Sequence, residues 1–315
     1  MEQGMSYGAW AVIIVLGFPV TAALGLVFQW VDRVATARIQ WRKGPPFYQP
    51  FADVAKLLGK ETLVSHGASM GVFLAAPLVG FTGTAVAASL LWAAAIYPEL
   101  SFAGDLIAVI YFLVVPSLAL ILGGSASGSP HSGLGSSREM KLVLGYELPF
   151  ILAMVPAILN AGGTFRLGNL ISAQADGSLL LGVPGVLAFL CALLAGHAKL
   201  GLVPFDQAEA ETELMGGVEL EYSGPALAMI RLMRAMLLFT LPMLIITVFW
   251  GGLQFTGLGG LSTIVKFIVL LVVVVLIRNT SPRLRIDQAV RFFWFILAPV
   301  AIIACAWALV FNYYG

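Results

Sequence analysis

Apolar residues in this chain come in long uninterrupted runs, separated by short polar segments. A helix needs about 20 apolar residues to cross the hydrocarbon core of a bilayer. Eight runs approach or exceed that length: 7–30, 71–96, 102–123, 141–162, 178–203, 225–250, 263–277 and 292–312. We predict a transmembrane helix in each, and hence an all-α integral membrane protein with a single membrane domain, 1–315.

The polar segment after the first run has a helical pattern of its own. Gly44, Pro45 and Pro46 break the chain, because proline restricts its own backbone and that of the residue before it. Apolar residues then recur at helical spacing, at Phe51, Val54, Leu57 and Leu58. This spacing predicts an amphipathic helix lying on the membrane surface.

Composition supports a membrane protein over a soluble one. Hydrophobic residues make up 60% of the 315-residue chain and charged residues only 10%, whereas a soluble domain carries about 25% charge. The formal net charge of +1 gives no indication of a nucleic-acid partner. The placement of the charges is therefore more informative than their sum.

Lysine and arginine concentrate on one side of the predicted bundle. The segments after the first, third and seventh runs are basic, whereas only Arg166 lies between the fourth and fifth runs. Basic loops stay in the cytoplasm. We therefore expect a multi-pass protein of the cell inner membrane with both termini external. Residues 31–66, 124–140, 204–224 and 278–290 would then be internal.

The cysteines and histidines argue against a metal centre in this chain. Cys191 and Cys305 are the only cysteines, and His66, His131 and His197 are scattered. An iron–sulfur cluster takes about four cysteine ligands, and structural zinc takes about four closely spaced Cys or His ligands. We expect no metal ligands and no cofactor bound by this chain.

Residues 204–224 form an acidic segment without a single Lys or Arg. Its acids are Asp206, Glu209, Glu211, Glu213, Glu219 and Glu221. If the segment is helical, Asp206, Glu209 and Glu213 share one face. Like charges so placed raise one another's pKa, which suits proton transfer near neutral pH. The alternative is an acidic loop exposed to solvent.

Ionisable residues also lie inside the apolar runs. Glu147, Arg231 and Arg234 each lie about two turns into a predicted helix, whereas Asp105 and Lys199 lie near predicted helix ends. A charge at the bilayer centre costs about 2.5 kcal/mol or more, so such residues pair or line a polar interior. Glu147 would either be neutralised by Arg231 and Arg234 or line a water-filled half-channel with them.

Three segments together resemble one known family. They read Arg38-Ile-Gln-Trp-Arg42-Lys43-Gly-Pro45 with Gln49-Pro-Phe-Ala-Asp53-Val-Ala-Lys56-Leu-Leu-Gly-Lys60-Glu61, then Tyr146-Glu147-Leu-Pro149, then Pro204-Phe-Asp206-Gln-Ala-Glu209-Ala-Glu211-Thr-Glu213-Leu214 with Glu221-Tyr-Ser-Gly224. In this order they resemble the core membrane subunit shared by respiratory complex I and the energy-converting membrane-bound NiFe hydrogenases.

The resemblance implies a subunit at the junction of a soluble redox arm and a membrane arm. Its partners would be hydrogenase-like large and small subunits, an iron–sulfur subunit and antiporter-like membrane subunits, with the iron–sulfur clusters and the NiFe centre in those partners. The implied proton or ion path is Glu147, Asp206, Glu209, Glu211, Glu213, Glu221, Arg231 and Arg234. The implied docking surface for the arm is Arg38, Arg42, Lys43, Asp53, Lys56 and Lys60.

Two stretches resemble the hydrogenase branch more than complex I. Gly128-Ser-Pro130 and Ser137-Arg-Glu139 replace the Ala-Leu-Arg type of motif usual in complex I, and residues 199–203 lack the acid and Asn-Arg that usually precede Pro-Phe-Asp in quinone reductases. We therefore expect a coupling subunit of a ferredoxin-linked hydrogenase. The rival hypotheses are a quinone-reducing complex I subunit, a solute transporter and an inert membrane anchor.

Overall fold

The computed structural model describes residues 7–174, 177, 179–255 and 257–314, and every regular element in those ranges is helical. The α-helices are α1 Tyr7–Val15, α2 Thr21–Ile39, α3 Gln49–Leu58, α4 Met70–Ile96, α5 Asp105–Phe112, α6 Val115–Ala126, α7 Pro130–Asn160, α8 Leu167–Ser172, α9 Val183–Lys199, α10 Glu211–Leu214, α11 Gly224–Phe249, α12 Leu258–Thr280, α13 Ile286–Phe292 and α14 Ala298–Tyr314. Single π-helical turns, Leu16–Val20 and Phe293–Leu297, join α1 to α2 and α13 to α14.

The predicted eight spans are confirmed as seven long helices and one shorter one within the described residues. The long spans are Ala11–Ile39, Met70–Ile96, Asp105–Ala126, Pro130–Asn160, Gly224–Phe249, Leu258–Thr280 and Ile286–Val310. The shorter apolar helix is Val183–Lys199. The chain is therefore a multi-pass membrane protein.

The structure differs from the predicted spans most at the start of the fourth and within the third. The fourth span begins at Pro130 rather than near 141, so Glu147 lies almost five turns into its helix instead of two. Proline suits the first turn of a helix, where its missing N–H is not needed. The polar residues that follow Pro130 hide this start from a hydropathy window. The third span is broken after Phe112 and resumes at Val115.

The first basic segment is also more helical than its charge pattern predicts. Helix α2 continues to Ile39, so Arg33 and Arg38 lie on its last turns. The predicted surface helix is confirmed as α3, with Pro50 buried and Lys56 exposed. The indole of Trp30 on α2 donates to the carbonyl of Pro45 at 3.1 Å, which ties the turn before α3 to the end of α2.

Helix α11 forms the centre of the bundle. Of its most apolar 18-residue window, 89% is buried, against 28% for α12. It packs against α2 and α4 along its length and against α3 at one end. The crossing with α2 is close because Gly25 has no side chain: a Cβ there would lie 2.3 Å from the carbonyl oxygen of Ala235. Most side chains of α11 therefore contact other helices.

Candidate functional site

A polar cavity of about 380 Å³ lies where α2, α11 and residues 200–209 meet. Its wall contains eight charged side chains: Asp32, Arg33, Asp206, Glu209, Arg231, Arg234, Arg278 and Arg283. Four of these, Asp206, Glu209, Arg231 and Arg234, belong to the predicted ion path. The fold therefore gathers half of that predicted set around one cavity.

The acidic segment is not one continuous helix. Among residues 204–223 only Glu211–Leu214 is α-helical, so Asp206, Glu209 and Glu213 do not share a helix face. The segment instead folds into turns that bury Phe205, Ala208 and Ala210.

Those turns pack closely on one another and are tied to α7 by a hydrogen bond. Gly217 has a φ of +52°, and a Cβ on it would lie 1.8 Å from the carbonyl oxygen of Ala208. The hydroxyl of Ser132 on α7 donates to the Gly217 carbonyl at 3.0 Å. Turns and tertiary contacts, with little helix, therefore hold this segment in place.

Glu209 and Glu219 share the guanidinium of Arg234. Arg234 pairs with both oxygens of Glu209 and lies 2.9 Å from Glu219. Arg231 approaches the other oxygen of Glu219 at 3.1 Å. The two arginines, three apart on α11 as predicted, thus hold two acids of the acidic segment. Glu219, only 9% exposed at its side chain, is a site residue that we did not select from the sequence.

Two opposing effects act on Glu209. Burial in the protein raises the pKa of this carboxyl above its usual value, and the negative charge of Glu219 acts in the same direction. The guanidinium of Arg234 opposes both effects but does not cancel them. A carboxyl of this kind changes its protonation state when its arginine partner moves.

Three further ion pairs border the cavity. Asp206 accepts from Arg283 at 2.8 Å and 2.5 Å. Asp32, which is buried, pairs with Arg278, and Arg33 lies 3.0 Å from Asp53 of the surface helix. Asp32 and Arg278 escaped prediction because they are 246 residues apart, and local spacing carries no information on such a pair.

Glu147 pairs with neither of the two arginines considered as its partners from the sequence. Lys199, at the end of α9, donates to its carboxylate at 2.7 Å, whereas Arg231 and Arg234 are engaged with the acidic segment. The Lys199 side chain is 1% exposed, and its ammonium lies 4.8 Å from the ring centroid of Phe150 and 5.5 Å from that of Tyr146. The other oxygen of Glu147 has no hydrogen-bond partner among the described residues.

This inner pair is adjacent to the cavity along the chain. Lys199 directly precedes Leu200, and residues 200–203 form one wall of the cavity. Tyr146, next to Glu147, is buried, and its hydroxyl lies 3.1 Å from that of Ser117. Lys199 and Glu147 do not line the cavity, but the chain joins Lys199 directly to its wall.

The remaining predicted path residues lie apart from the cavity. Glu213 is exposed and pairs with Arg138 at 2.6 Å, and this arginine holds the pKa of Glu213 below its usual value. Glu221 lies half-buried in the turn before α11. The side chain of Glu211 falls outside the described part of the structure.

The predicted docking residues lie on one connected segment. Arg38, Arg42, Lys43, Lys56 and Lys60 are all exposed. Asp53 is the exception, because its carboxylate accepts from Arg33 and, at 2.7 Å, from Gln49. In the described residues no three His, Cys, Asp or Glu side chains are grouped to hold a metal ion, and the predicted absence of metal ligands stays a prediction.

The geometry supports proton storage and relay more readily than bond chemistry. Carboxylates that share arginines can exchange partners, and each exchange changes the affinity of one carboxylate for a proton. A buried acid with a free oxygen, such as Glu147, is a suitable acceptor for a proton delivered from the cavity.

Comparison with known proteins agrees with the resemblance. The family model described as NADH dehydrogenase matches residues 11–309. The H subunit of the NADH-quinone oxidoreductase of Dehalococcoides mccartyi is 32% identical over 301 residues, which cover 92% of this chain and 82% of the relative. The corresponding protein of Brevibacillus brevis, also an NADH-quinone oxidoreductase H subunit, is 33% identical over 327 residues, with 96% and 94% covered.

One solved structure is similar over nearly its whole length. A chain of the membrane-bound sulfane sulfur reductase, an archaeal respiratory membrane complex, superposes with a TM-score of 0.86 at 29% identity. The match covers 96% of the present chain and 99% of the other. The relatives are thus subunits of respiratory membrane oxidoreductases of more than one kind.

Proposed function

The chain belongs to the NADH dehydrogenase family, and from that premise we propose that it couples electron transfer in a soluble arm to ion translocation across the membrane. The complex would be an energy-converting, ferredoxin-linked NiFe hydrogenase. The chain itself contributes carboxylates and arginines, and its partner subunits carry the redox centres.

The observation that carries the proposal is the shared Arg234. Its guanidinium holds Glu209 and Glu219 at once, beside a polar cavity at one end of the bundle. A redox event in the arm that displaces the acidic segment would shift Arg234 toward one acid. The other acid would then take up a proton, because an unpaired buried carboxylate is costly.

In the proposed path, the proton next binds at the Glu147–Lys199 pair. It lies within the bundle, one residue from the cavity wall. A proton arriving at Glu147 would neutralise it and release Lys199, and return of the ammonium would expel the proton again. This alternation would let the chain's own side chains take up and release a proton, with no metal or cofactor in this chain.

Two observations favour the hydrogenase branch. The sequence has Gly128-Ser-Pro130 and Ser137-Arg-Glu139, and it lacks the acid and Asn-Arg usual before Pro-Phe-Asp in quinone reductases. The structural similarity to a sulfane sulfur reductase also agrees with an acceptor other than quinone.

A second candidate function, quinone reduction, rests on a second cavity. A space of about 420 Å³ lies under the surface helix, lined by Pro50, Val54 and Leu57 on one side and by Leu227 on the other. It shares Gln29, Arg33 and Arg231 with the polar cavity. An apolar space that leads to a polar one would suit the tail and head of a quinone.

The acceptor used by the purified complex distinguishes the two. We expect the complex in sealed vesicles to evolve hydrogen from reduced ferredoxin and to take up ions as it does so. Quinone reduction without hydrogen evolution would support the second candidate, and turnover of either acceptor without ion uptake would contradict coupling.

A further inference from the structure

An apolar groove of about 770 Å³ runs between α2 and α12, apart from the cavities described above. One wall is the face of α2 that carries Leu24, Val27, Phe28, Val31, Ala35 and Arg38. The other wall is the face of α12 that carries Ile264, Phe267, Ile268, Leu271, Val272 and Leu276. Phe239 and Trp92 contribute to the lining between them.

The groove is long. Its wall on α2 extends from Leu24 to Ile39, which at a rise of 1.5 Å per residue is about 22 Å. One leaflet of a bilayer contributes about half of the roughly 30 Å hydrocarbon core, so an acyl chain of a phospholipid fits along the groove.

One end of the groove is positively charged. Arg38 is exposed and lines that end, and its side chain has no ion pair or hydrogen bond to any of the described residues. Trp41, just beyond the end of α2, is 98% exposed. Tryptophan concentrates at the membrane–water interface, and on this ground we place Arg38, Arg42 and Lys43 at the level of lipid headgroups.

We propose that this groove is a binding site for an anionic phospholipid. An acyl chain lies between α2 and α12, and the phosphate is held by Arg38 at the end of the groove. Basic pockets between transmembrane helices recognise anionic headgroups in this way. None of the predicted path residues lines the groove, so the proposal does not depend on the ion path. Of the predicted docking residues only Arg38 lines it, and the proposal assigns this arginine to the lipid phosphate.

The two parts of the proposed site are tested by separate variants. Val272→Trp fills the groove from its open side, since Val272 is 49% exposed. Val269→Trp is the matched control: it makes the same change on the same helix, at a residue 41% exposed that does not line the groove. Arg38→Gln removes the charge, and Arg166→Gln, at an exposed residue outside the groove, is its control.

Binding is measured by native mass spectrometry of the full-length chain in mild detergent. The probes are phosphatidylglycerol and phosphatidylcholine with identical acyl chains. We expect the wild type to prefer phosphatidylglycerol, and Arg38→Gln to reduce that preference by about fivefold. Val272→Trp should lower the affinity for both lipids by at least about tenfold, because tryptophan occupies their space. Both controls should behave as wild type.

Four results would overturn the proposal. The first is unchanged lipid affinity in Val272→Trp, and the second is an unchanged preference in Arg38→Gln. The third is a cross-link from Val272→Cys to a helix of another subunit in the whole complex, which would make the groove a subunit interface. Recovery of an isoprenoid quinone instead of phospholipid from the wild type would likewise contradict it.

Discussion

The buried pair of Lys199 and Glu147 allows a quantitative prediction. Lys199→Met keeps the length of the side chain and removes its charge, so Glu147 loses its partner inside the bundle. Removing one partner of a buried ion pair costs about 3–5 kcal/mol, whereas hydrogen bonds between membrane helices average about 0.6 kcal/mol. Lys199 is 1% exposed but Glu147 is 18% exposed, so we expect a loss near the lower end, about 3 kcal/mol.

The assay is reversible unfolding of the purified chain in mixed micelles of increasing SDS content. Lys199→Met should lower the free energy of unfolding by about 3 kcal/mol. Glu147→Gln should lower it too, because glutamine accepts a hydrogen bond from Lys199 but leaves this buried ammonium without a counter-charge. The double variant should recover much of the Lys199→Met loss. Acidic pH should also reduce that loss, since protonation removes the unpaired charge.

Two outcomes would refute this reasoning. A loss in Lys199→Met of no more than about 0.6 kcal/mol would mean that the pair contributes no more than an ordinary interhelical hydrogen bond. If the double variant loses the sum of the two single losses in free energy of unfolding, then Lys199 and Glu147 do not stabilise each other, although their charged atoms lie 2.7 Å apart.

The remaining predictions concern titration, topology and docking. Burial raises the pKa of Glu209, and Arg138 lowers the pKa of Glu213. Infrared difference titration should therefore give Glu209 a pKa above the ordinary glutamate value of about 4.3 and Glu213 a pKa below it. The reverse order of the two pKa values would contradict the described site. Single-cysteine labelling should find loop 163–177 accessible only from outside, with both termini; cytoplasmic labelling of that loop would disprove the orientation. Arg42→Glu with Lys56→Glu should release the soluble arm from membranes without affecting insertion, whereas Arg166→Glu should not; an arm that stays bound after the double reversal would exclude this docking surface.

Much of the fold follows from local pattern because a bilayer restricts the choices. A run of apolar residues such as 225–250 must be helical to satisfy its backbone in lipid, and α11 occupies nearly those residues. The start of α7 could not be found in this way, because Pro130 and the polar residues after it lie outside any apolar run.

The sequence indicated which charged residues line the cavity better than it indicated which of them form ion pairs with each other. Asp206, Glu209, Arg231 and Arg234 stand out locally as charges near or within apolar runs, and they do line one cavity. Their partners depend on tertiary packing. In the sequence nothing distinguishes Glu219 from the other five acids of its segment, yet it shares Arg234 with Glu209. The helical spacing of the acids did not indicate how the segment folds.

The most direct test of the coupling account is ion uptake by sealed vesicles that contain the assembled complex. Glutamine keeps the shape of glutamate but cannot titrate near neutral pH. The account therefore predicts that Glu209→Gln and Glu147→Gln lose ion uptake, and coupled turnover with it, while assembly is retained. Glu213→Gln shows whether the exposed part of the acidic segment takes part in the path. Glu99→Gln, at an exposed residue outside the cavity, should take up ions at the wild-type rate. Wild-type uptake by both Glu209→Gln and Glu147→Gln, in complexes shown to be assembled, would contradict the account and leave an inert anchor.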